Sequence, residues 1–128
     1  MTPAETLSRQ ARYEAEVARQ WSAHPVDGAH DLGHLRRVWR RAQLIALDEP
    51  CDAEVLLPAC IFHDLVNLPK NAPDRASASQ RSAAAATAFL DSDGFPQAKL
   101  PAVAHAIAAH SFSAGIAPRS EEHTSELQ

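Results

Sequence analysis

The sequence predicts an all-α protein of about five helices, and three observations support that fold class. Much of the apolar content is alanine, which is the strongest helix former and is depleted in strands. Aromatic residues, which strands favour, account for only 5% of the 128 residues. Apolar residues also recur at helical spacing in segments that are separated by clusters of proline, glycine, asparagine and aspartate.

The first helix is predicted to begin after Thr2 and to end at about residues 21–22. Thr2 is a good N-cap, Pro3 suits the first helical position, and Glu5 can bond back to the cap. A breaker cluster at residues 24–28 ends the segment. The apolar residues expected on its buried face are Leu7, Ala11, Ala15, Val17 and Trp21.

The second helix is predicted over about residues 31–47, because apolar residues recur there at helical spacing. His34 lies beside this apolar stripe. His30 lies four residues earlier, a spacing that can bind zinc on one helix face, but it is expected to precede the helix. Most of the arginines in this segment are expected to face solvent, and one of them, Arg37, could turn toward a phosphate.

The third helix is predicted from Asp52, which can cap it, to about residues 66–67. It carries the most apolar run of the chain, residues 55–62, and this run leads directly into His63 and Asp64. The polar, proline-bearing residues 67–74 follow. Because this loop is next to the histidine–aspartate pair, it is where a substrate lid is expected.

The fourth helix is predicted over about residues 75–90 and the fifth over about residues 97–111. The small residues of the fourth helix allow close packing, and the turn-forming residues 91–96 stop it. Of the two histidines in the fifth helix, His105 is expected to be structural and His110, at the end of the helix, to be functional. Together the five segments indicate a helical bundle with short connections.

Composition and charge narrow the classes of function. The length fits one domain. A net charge of −4 and a pI near 5.9 argue against coating nucleic acid or binding a membrane surface. With no signal peptide and no apolar run of about 18 residues, a cytoplasmic protein is expected. The two cysteines make no disulfide framework, and Cys60 is expected to be a core residue rather than a nucleophile.

The adjacent pair His63 and Asp64 is the main chemical signal. Neither an ionised aspartate nor an imidazole is readily buried without a partner, and a divalent metal ion would satisfy both. Adjacent side chains on a helix point about 100° apart, so a shared ion requires a helix end or a distorted turn. With His34 the site has nitrogen and oxygen donors that suit zinc, iron, manganese, cobalt or nickel. The alternative to a metal site is a hydrogen-bonded core histidine beside an aspartate at the C-terminal end of the helix.

Several short motifs are similar, in their order and spacing, to those of the HD-domain superfamily of metal-dependent phosphohydrolases. HDLGHLRRV at residues 30–38 and IFHDL at residues 61–65 resemble its first two motifs. NLPK, RASAS and HAIAAHSFSA, which begin at residues 67, 75 and 105, resemble a small bacterial branch of HD domain-containing proteins. The resemblance covers about residues 26–118. It implies an all-helical fold and a divalent metal ion bound by a histidine, an adjacent histidine–aspartate pair and a later aspartate.

Carried onto this sequence, the resemblance implies that His34, His63 and Asp64 bind the metal. The ion, which could be manganese, magnesium, iron, cobalt, nickel or zinc, would activate a water for attack on a phosphate ester or a nucleotide. The implied catalytic residues are Lys70 and His110. The implied substrate contacts are Arg37, Lys70, Arg75 and His110. The implied partner is a small phosphorylated substrate, such as a nucleotide, with no membrane and no stable nucleic-acid binding.

The end of the sequence departs from that branch. The resemblance implies a further helix that carries the last aspartate ligand, whereas this chain has no aspartate after Asp93. Residues 119–128 instead match one reading frame of a widely used sequencing-library adapter. We therefore expect an incomplete HD-like helical domain over residues 1–118, missing its C-terminal helices, and a non-native tail over residues 119–128. Such a chain is expected to bind metal weakly and to be nearly inactive.

Two other readings stay open at the level of sequence. One is a non-catalytic helical module that binds a nucleotide or regulates another protein. The other is a structural domain in which every histidine is hydrogen-bonded in the core. For Lys70 and Arg75, the alternative to a substrate-binding role is that they are solvent-exposed loop charges. A zinc peptidase is disfavoured because the sequence has no His-Glu-x-x-His motif. The pattern selects no particular substrate, metal or oligomeric state.

Overall fold

A computed structural model describes residues 1–23, 32–48, 51–66 and 77–109 of the chain. Within these ranges the secondary structure is helical, which confirms the predicted all-α class with five helices. The α-helices are α1 (Pro3–Ala23), α2 (Leu32–Ala46), α3 (Ala53–Phe62), α4 (Ala78–Ser92) and α5 (Leu100–Ala109), and a short 3₁₀ turn, Gln97–Lys99, precedes α5.

The central element of the bundle is α3, which packs against α1, α2, α4 and α5. Its second half, residues 57–62, is buried at every position. A helix that is covered on all sides needs no polar face, which explains why its sequence is a continuous apolar run. The central position of α3 also places its C-terminal end inside the molecule.

Three aromatic rings join α1, α3 and α4 in the core. The ring centroid of Phe62 lies 5.2 Å from that of Tyr13 and 5.7 Å from that of Phe89. Tyr13 and Phe89 meet edge to face, with centroids 6.2 Å apart. Offset and edge-to-face contacts of this kind stabilise a core beyond the apolar area that they bury. The last residue of α3 is thereby anchored between two other helices.

The predicted start of α1 is confirmed in detail. The backbone N–H of Thr2 donates to Oε1 of Glu5 at 3.0 Å, and the N–H of Glu5 donates to Oγ1 of Thr2 at 3.1 Å. These reciprocal bonds are the expected capping box. The hydrogen bonds from Thr2 also lower the pKa of the Glu5 carboxyl below its usual value.

The predicted buried face of α1 was largely wrong. Leu7 is 68% exposed, and Ala11 and Ala15 are also exposed, whereas Val17 is buried and Trp21 is half-buried. The residues of α1 that are buried are Tyr13, Glu14 and Val17. The face of α1 that carries Tyr13 packs against the aromatic core. The alanines on the other face have too little apolar area to favour the opposite orientation of the helix.

A buried carboxylate on α1 is paired with an arginine side chain of α2. The side chain of Glu14 accepts a hydrogen bond from Arg36 Nη2 at 2.7 Å and one from Gln10 at 2.9 Å. Burial raises the pKa of the Glu14 carboxyl, but the bonds from Arg36 and Gln10 outweigh it, so the net pKa is lowered. A charge that is hydrogen-bonded in this way can occupy a largely buried position, which apolar periodicity does not reveal.

The predicted end of α3 was also wrong, by about one turn. The helix ends at Phe62 with His63 as its C-cap, not at residues 66–67. In a continued helix the carbonyl of Cys60 would accept from the N–H of Asp64. Here the ring of His63 bonds that carbonyl at 2.7 Å, and the N–H of Leu65 reaches only three residues back, to Phe62, at 3.0 Å.

The start of α3 is held by ion pairs to two other helical segments. Asp52 caps α3 as predicted, since its Oδ1 accepts from the N–H of Glu54 at 3.0 Å. Glu54 also pairs with Arg9 of α1 at 2.7 Å and with Lys99 of the 3₁₀ turn at 2.6 Å. Lys99 pairs in addition with Asp52 at 2.8 Å. These bonds lower the pKa of the Glu54 carboxyl, Lys99 contributing most and Arg9 next.

The remaining helices lie close to their predicted positions, and some predictions fall outside the described residues. The segments α2, α4 and α5 lie within about three residues of the predicted helices at residues 31–47, 75–90 and 97–111 in the described part of the chain, and the predicted ends at residues 31, 75–76 and 110–111 fall outside it. The tail at residues 119–128, and with it the boundary at residue 118, lies outside the described part of the chain. Among the described helices, none combines the length and apolar character that crossing a bilayer requires.

Candidate metal centre

His63 directly follows α3, and the end of that helix fixes the orientation of its ring. The last carbonyls of a helix have no backbone N–H partner within the helix. Nδ1 of His63 lies 2.7 Å from the carbonyl oxygen of Cys60. Because a carbonyl oxygen only accepts hydrogen bonds, Nδ1 is the donor. The Nε2 atom of the neutral ring then keeps a lone pair that can bind a metal ion.

Three donor atoms converge beside this helix end. Oδ2 of Asp64 lies 3.4 Å from Nε2 of His63 and 3.8 Å from Nε2 of His34. The centroids of the two imidazole rings are 5.8 Å apart. Each of the three residues offers one ligand atom within 4.8 Å of the other two. The fold therefore brings together the three residues that the sequence suggested as metal ligands, one from α2 and two from the turn after α3.

The cluster is closed on the side of α3 and open on the side of α2. The side chain of His63 is 1% exposed, that of Asp64 is 16% exposed and that of His34 is 34% exposed. Oδ2 of Asp64 and Nε2 of His63 are themselves buried atoms. A cation between a carboxylate oxygen and an imidazole lone pair would compensate for their removal from water. Solvent or a ligand can approach from the side of His34.

The chemistry of these donors fits a divalent transition metal. Two imidazole nitrogens and one carboxylate oxygen are ligands that zinc, iron, manganese, cobalt and nickel all accept, whereas magnesium prefers oxygen ligands. Metal-binding histidines commonly donate their second nitrogen to a carbonyl or carboxylate, which fixes the ring for binding. The bond from His63 to the Cys60 carbonyl is of this kind. The three donor atoms, together with the hydrogen bond that fixes the ring of His63, thus form a site that could hold a metal ion.

Comparison with protein families agrees with this geometry. The family model of the HD domain matches residues 31–128, which is more than half of the chain. The chain belongs to the HD-domain family. Members of this family are generally metal-dependent phosphohydrolases. Comparisons with curated proteins and with solved structures gave no match. The resemblance that was based on the short motifs is confirmed at the level of the family.

Two other helices of this HD domain bond to the turn that follows Asp64. From α1, Nε1 of Trp21 donates to the carbonyl of Leu65 at 3.3 Å. From α4, the hydroxyl of Ser82 accepts from the N–H of Val66 at 2.9 Å and donates to the carbonyl of Val66 at 3.2 Å. The backbone that follows His63 and Asp64 is therefore held by side chains that lie far from it in sequence.

Neither cysteine of this HD domain is suited to nucleophilic chemistry. Cys60 is fully buried, and its burial raises the pKa of the thiol to about 12, so the thiolate is not available near neutral pH. Cys51 is exposed, and partial burial together with the charge of Asp52 raises the pKa of its thiol. The prediction that Cys60 is a core residue is confirmed.

The residues suggested as substrate contacts are described only in part. Arg37 is exposed on α2, three residues after His34. Residues three apart on a helix are neighbours on its surface, so Arg37 and His34 lie close to the same face of α2. The other suggested residues, Lys70, Arg75 and His110, lie outside the described residues. Their catalytic and substrate-binding roles stay predictions.

Sequence reasoning passed over Ser82. It occurs in an alanine-rich segment, and close packing alone is enough to explain the small residues there. Yet serine is a poorer helix former than alanine, because its hydroxyl competes for backbone hydrogen bonds. A serine on the buried stripe of an otherwise alanine-lined helix was the available signal. The contribution of Trp21 carried no such signal, because a tryptophan is expected in a core in any case.

Proposed function

We propose that this protein is a divalent-metal-dependent phosphohydrolase in which His34, His63 and Asp64 bind the metal ion. The observation that carries the proposal is the convergence of His34, His63 and Asp64, each of which offers one ligand atom within 4.8 Å of the other two. Membership of the HD-domain family supports the same class of reaction. The proposed substrate is a small phosphorylated molecule, such as a nucleotide or a phosphate ester.

The residues of this site have separate tasks in the proposed reaction. A divalent ion, when bound, supplies a Lewis acid and lowers the pKa of water. His63 is held by the Cys60 carbonyl and presents a single nitrogen, so its ring does not need to reorient on binding. Asp64 contributes the negative charge that offsets part of the charge of the ion. His34 lies on the exposed side, where the substrate enters.

The proposed substrate contacts are Arg37, Lys70, Arg75 and His110, of which Arg37 lies in the described part of the chain. Arg37 is exposed one helical turn after His34, and its guanidinium can bind phosphate oxygens in pairs. We propose that Lys70 and Arg75 add positive charge toward the same phosphate. His110 is proposed to bind the phosphate or to donate a proton to the leaving group.

The number of protein ligands affects how tightly this chain binds metal. The superfamily resemblance includes a later aspartate as a further ligand, and the sequence has no aspartate after Asp93. We propose that the chain binds the ion through three protein ligands, with weak affinity and slow turnover. Stoichiometric metal that survives purification and dialysis would show that the ligand set is complete as it stands.

Metal binding tests the proposed site directly. The chain is titrated with Co²⁺ and the visible absorption is recorded, because the bands of Co²⁺ report its ligands and their geometry. We expect the wild-type chain to give a saturable spectrum, and His63→Ala and Asp64→Asn each to abolish it. The control is His105→Ala, which removes an exposed histidine on α5. Equal metal binding by all four proteins would favour a structural helical domain.

Turnover tests the proposed reaction. The Mn²⁺-loaded chain is incubated at high protein concentration with a panel of nucleoside mono-, di- and triphosphates, and release of phosphate or pyrophosphate is followed. We expect slow, metal-dependent release that EDTA stops and that Asp64→Asn lacks. A chain that binds metal and a nucleotide but releases neither product from any member of the panel would instead be a non-catalytic binding module.

A further inference from the structure

The turn that carries the proposed metal ligands has backbone groups that α3 itself does not satisfy. Residues 63–66 follow the last helical residue, Phe62. The N–H of Leu65 still donates to the C=O of Phe62 at 3.0 Å, whereas the C=O of Leu65 and both backbone groups of Val66 have their partners elsewhere. The side chain of Leu65 lies in the core, which commits this segment to the interior. The side-chain hydrogen bonds to the backbone of Leu65 and Val66 come from α1 and α4.

Ser82 binds both backbone groups of one residue in this turn. Its hydroxyl accepts from the N–H of Val66 at 2.9 Å and donates to the C=O of Val66 at 3.2 Å. Ser82 is fully buried, and its neighbours on the buried stripe of α4 are Ala83 and Ala86. An alanine would fill the same space, so packing alone does not explain a hydroxyl at this position.

Trp21 holds the same turn from another direction. Its indole Nε1 donates to the C=O of Leu65 at 3.3 Å. Trp21 belongs to α1 and Ser82 belongs to α4, so two helices that supply none of the three clustered donors fix consecutive residues of the turn. The carbonyls of Leu65 and Val66 are thereby both engaged by side chains.

The hydrogen bonds from Ser82 and Trp21 to the turn disfavour a longer α3. Apolar character and spacing favour a helix that continues to residues 66–67. In a continued helix the side chains of His63 and Asp64 would point about 100° apart and could not share an ion. The observed turn instead leaves Nε2 of His63 and Oδ2 of Asp64 at 3.4 Å. The pair converges at a helix end at which the backbone of His63 is still helical (φ −62°, ψ −26°) and α3 does not continue beyond it.

We propose that Ser82 and Trp21 are positioning residues of the metal site, which hold residues 65–66 out of the helix and so keep His63 and Asp64 convergent. This inference rests on the proposed function, because it assumes that the converging donors bind metal. Neither residue is one of the three clustered donors. Their effect passes through the backbone of Leu65 and Val66.

The first test removes the hydroxyl with Ser82→Ala. We expect the affinity for Co²⁺ to fall by about 10-fold, the lower end of what loss of an outer-shell partner costs a metal site. We also expect the Co²⁺ absorption bands to change, and the Val66 amide to exchange faster in the metal-free protein. A merely structural role would alter neither the bands nor the affinity once folding is confirmed by circular dichroism.

Two further variants separate positioning from loss of stability. Ala86→Gly loosens the same helix at another buried residue, and we expect it to lower the melting temperature without changing the Co²⁺ spectrum. Trp21→Phe keeps an aromatic ring but removes the donor to Leu65, and we expect a change of the same kind as in Ser82→Ala. This milder variant also decides the matter if Ser82→Ala does not fold.

The outcomes distinguish this inference from the proposed function. Wild-type affinity and an unchanged spectrum in Trp21→Phe and in folded Ser82→Ala would overturn the positioning role and leave the metal site intact. A spectral change in Ala86→Gly equal to that in Ser82→Ala would overturn it as well, because general loosening would then suffice. A wild-type chain that binds no Co²⁺ would overturn the proposed function, and the positioning role with it.

Discussion

The imidazole of His63 uses its two nitrogens for different purposes. Nδ1 donates to the carbonyl of Cys60, which satisfies a group at the helix end. Nε2 lies 3.4 Å from Oδ2 of Asp64, and Nε2 of His34 lies 3.8 Å from the same oxygen. One side chain thus helps to end α3 and presents a donor atom at the place where α3 ends.

The two cysteines should differ sharply in reactivity. Cys51 is exposed, whereas Cys60 is buried with a thiol pKa of about 12. Since the thiolate is the reactive form, we expect a thiol reagent at pH 8 to modify one cysteine in the folded protein and the second only after denaturation. The measurement is the absorbance released from a disulfide reagent over time. Cys51→Ser should remove the first phase, and rapid modification of Cys60 in that variant would contradict the buried position.

At the scale of the helix, α3 is fixed at both ends by different chemistry. Its start is held by charges, because Glu54 pairs with Arg9 and Lys99. Its end is held by neutral hydrogen bonds from other helices to the turn that follows. Acid should therefore loosen the start of α3 before it affects those bonds at the end.

Replacement of Glu54 should show this dependence on pH. The folded-state pKa of Glu54 is below its ordinary value of 4.5, so its stabilisation is complete above that value and is lost as the pH falls through the lower, folded-state pKa. We expect Glu54→Gln to melt at a lower temperature than wild type at pH 7, with the difference shrinking in acid. The control is Asp48→Asn, which removes an exposed carboxylate near the end of α2. A constant difference between wild type and Glu54→Gln down to pH 2 would contradict the ion-pair explanation.

The helices themselves could be predicted from local signals, but two of their features could not. Caps such as the one formed by Thr2 and Glu5 depend on neighbours in sequence, and the start of α1 followed from this one. The buried face of α1 depends on Tyr13 reaching Phe62, and on Arg36 compensating Glu14. The end of α3 depends on bonds from distant helices. Such long-range partners leave no mark in helical periodicity.

The candidate site was predictable to a different extent. His34, His63 and Asp64 were suggested by their residue types and by the motifs around them, and the fold brings them together. The requirement for a helix end or a distorted turn at the His63–Asp64 pair also followed from the geometry of adjacent side chains, although the helix end was predicted at residues 66–67. What forms that helix end did not follow, because Ser82 reads as one more small residue and Trp21 as one more core residue.

At the scale of the whole molecule, one continuous core joins all five described helices. It includes Val17 from α1, Leu35 from α2, Ile61 from α3, Leu90 from α4 and Ile107 from α5, each of them fully buried. Because α3 contacts every other helix, loss of packing at one side reaches the others through it. We therefore expect the described helices to unfold together rather than one by one.

A matched pair of leucine variants tests this core. Leu90 is 0% exposed on α4, and Leu47 is 79% exposed just after α2. We expect Leu90→Ala to lower the free energy of unfolding by about 2–5 kcal/mol through lost burial and a cavity. Leu47→Ala makes the same chemical change and should stay within about 0.5 kcal/mol of wild type. The measurement is urea unfolding, and equal effects of the two variants would contradict the assigned burial.

The two anchored ends of α3 also fix how many residues can lie between them. Glu54 is tied to α1 and to the turn before α5, and Val66 is tied to α4. One inserted or deleted residue between these points would rotate one end against the other by about 100° and shift it by about 1.5 Å. Such a variant could keep the ion pairs of Glu54 or the convergence of His63 and Asp64, but not both. In a library of single-codon insertions and deletions selected for folded, cobalt-binding chains, the interval from residue 54 to residue 66 should keep a constant length.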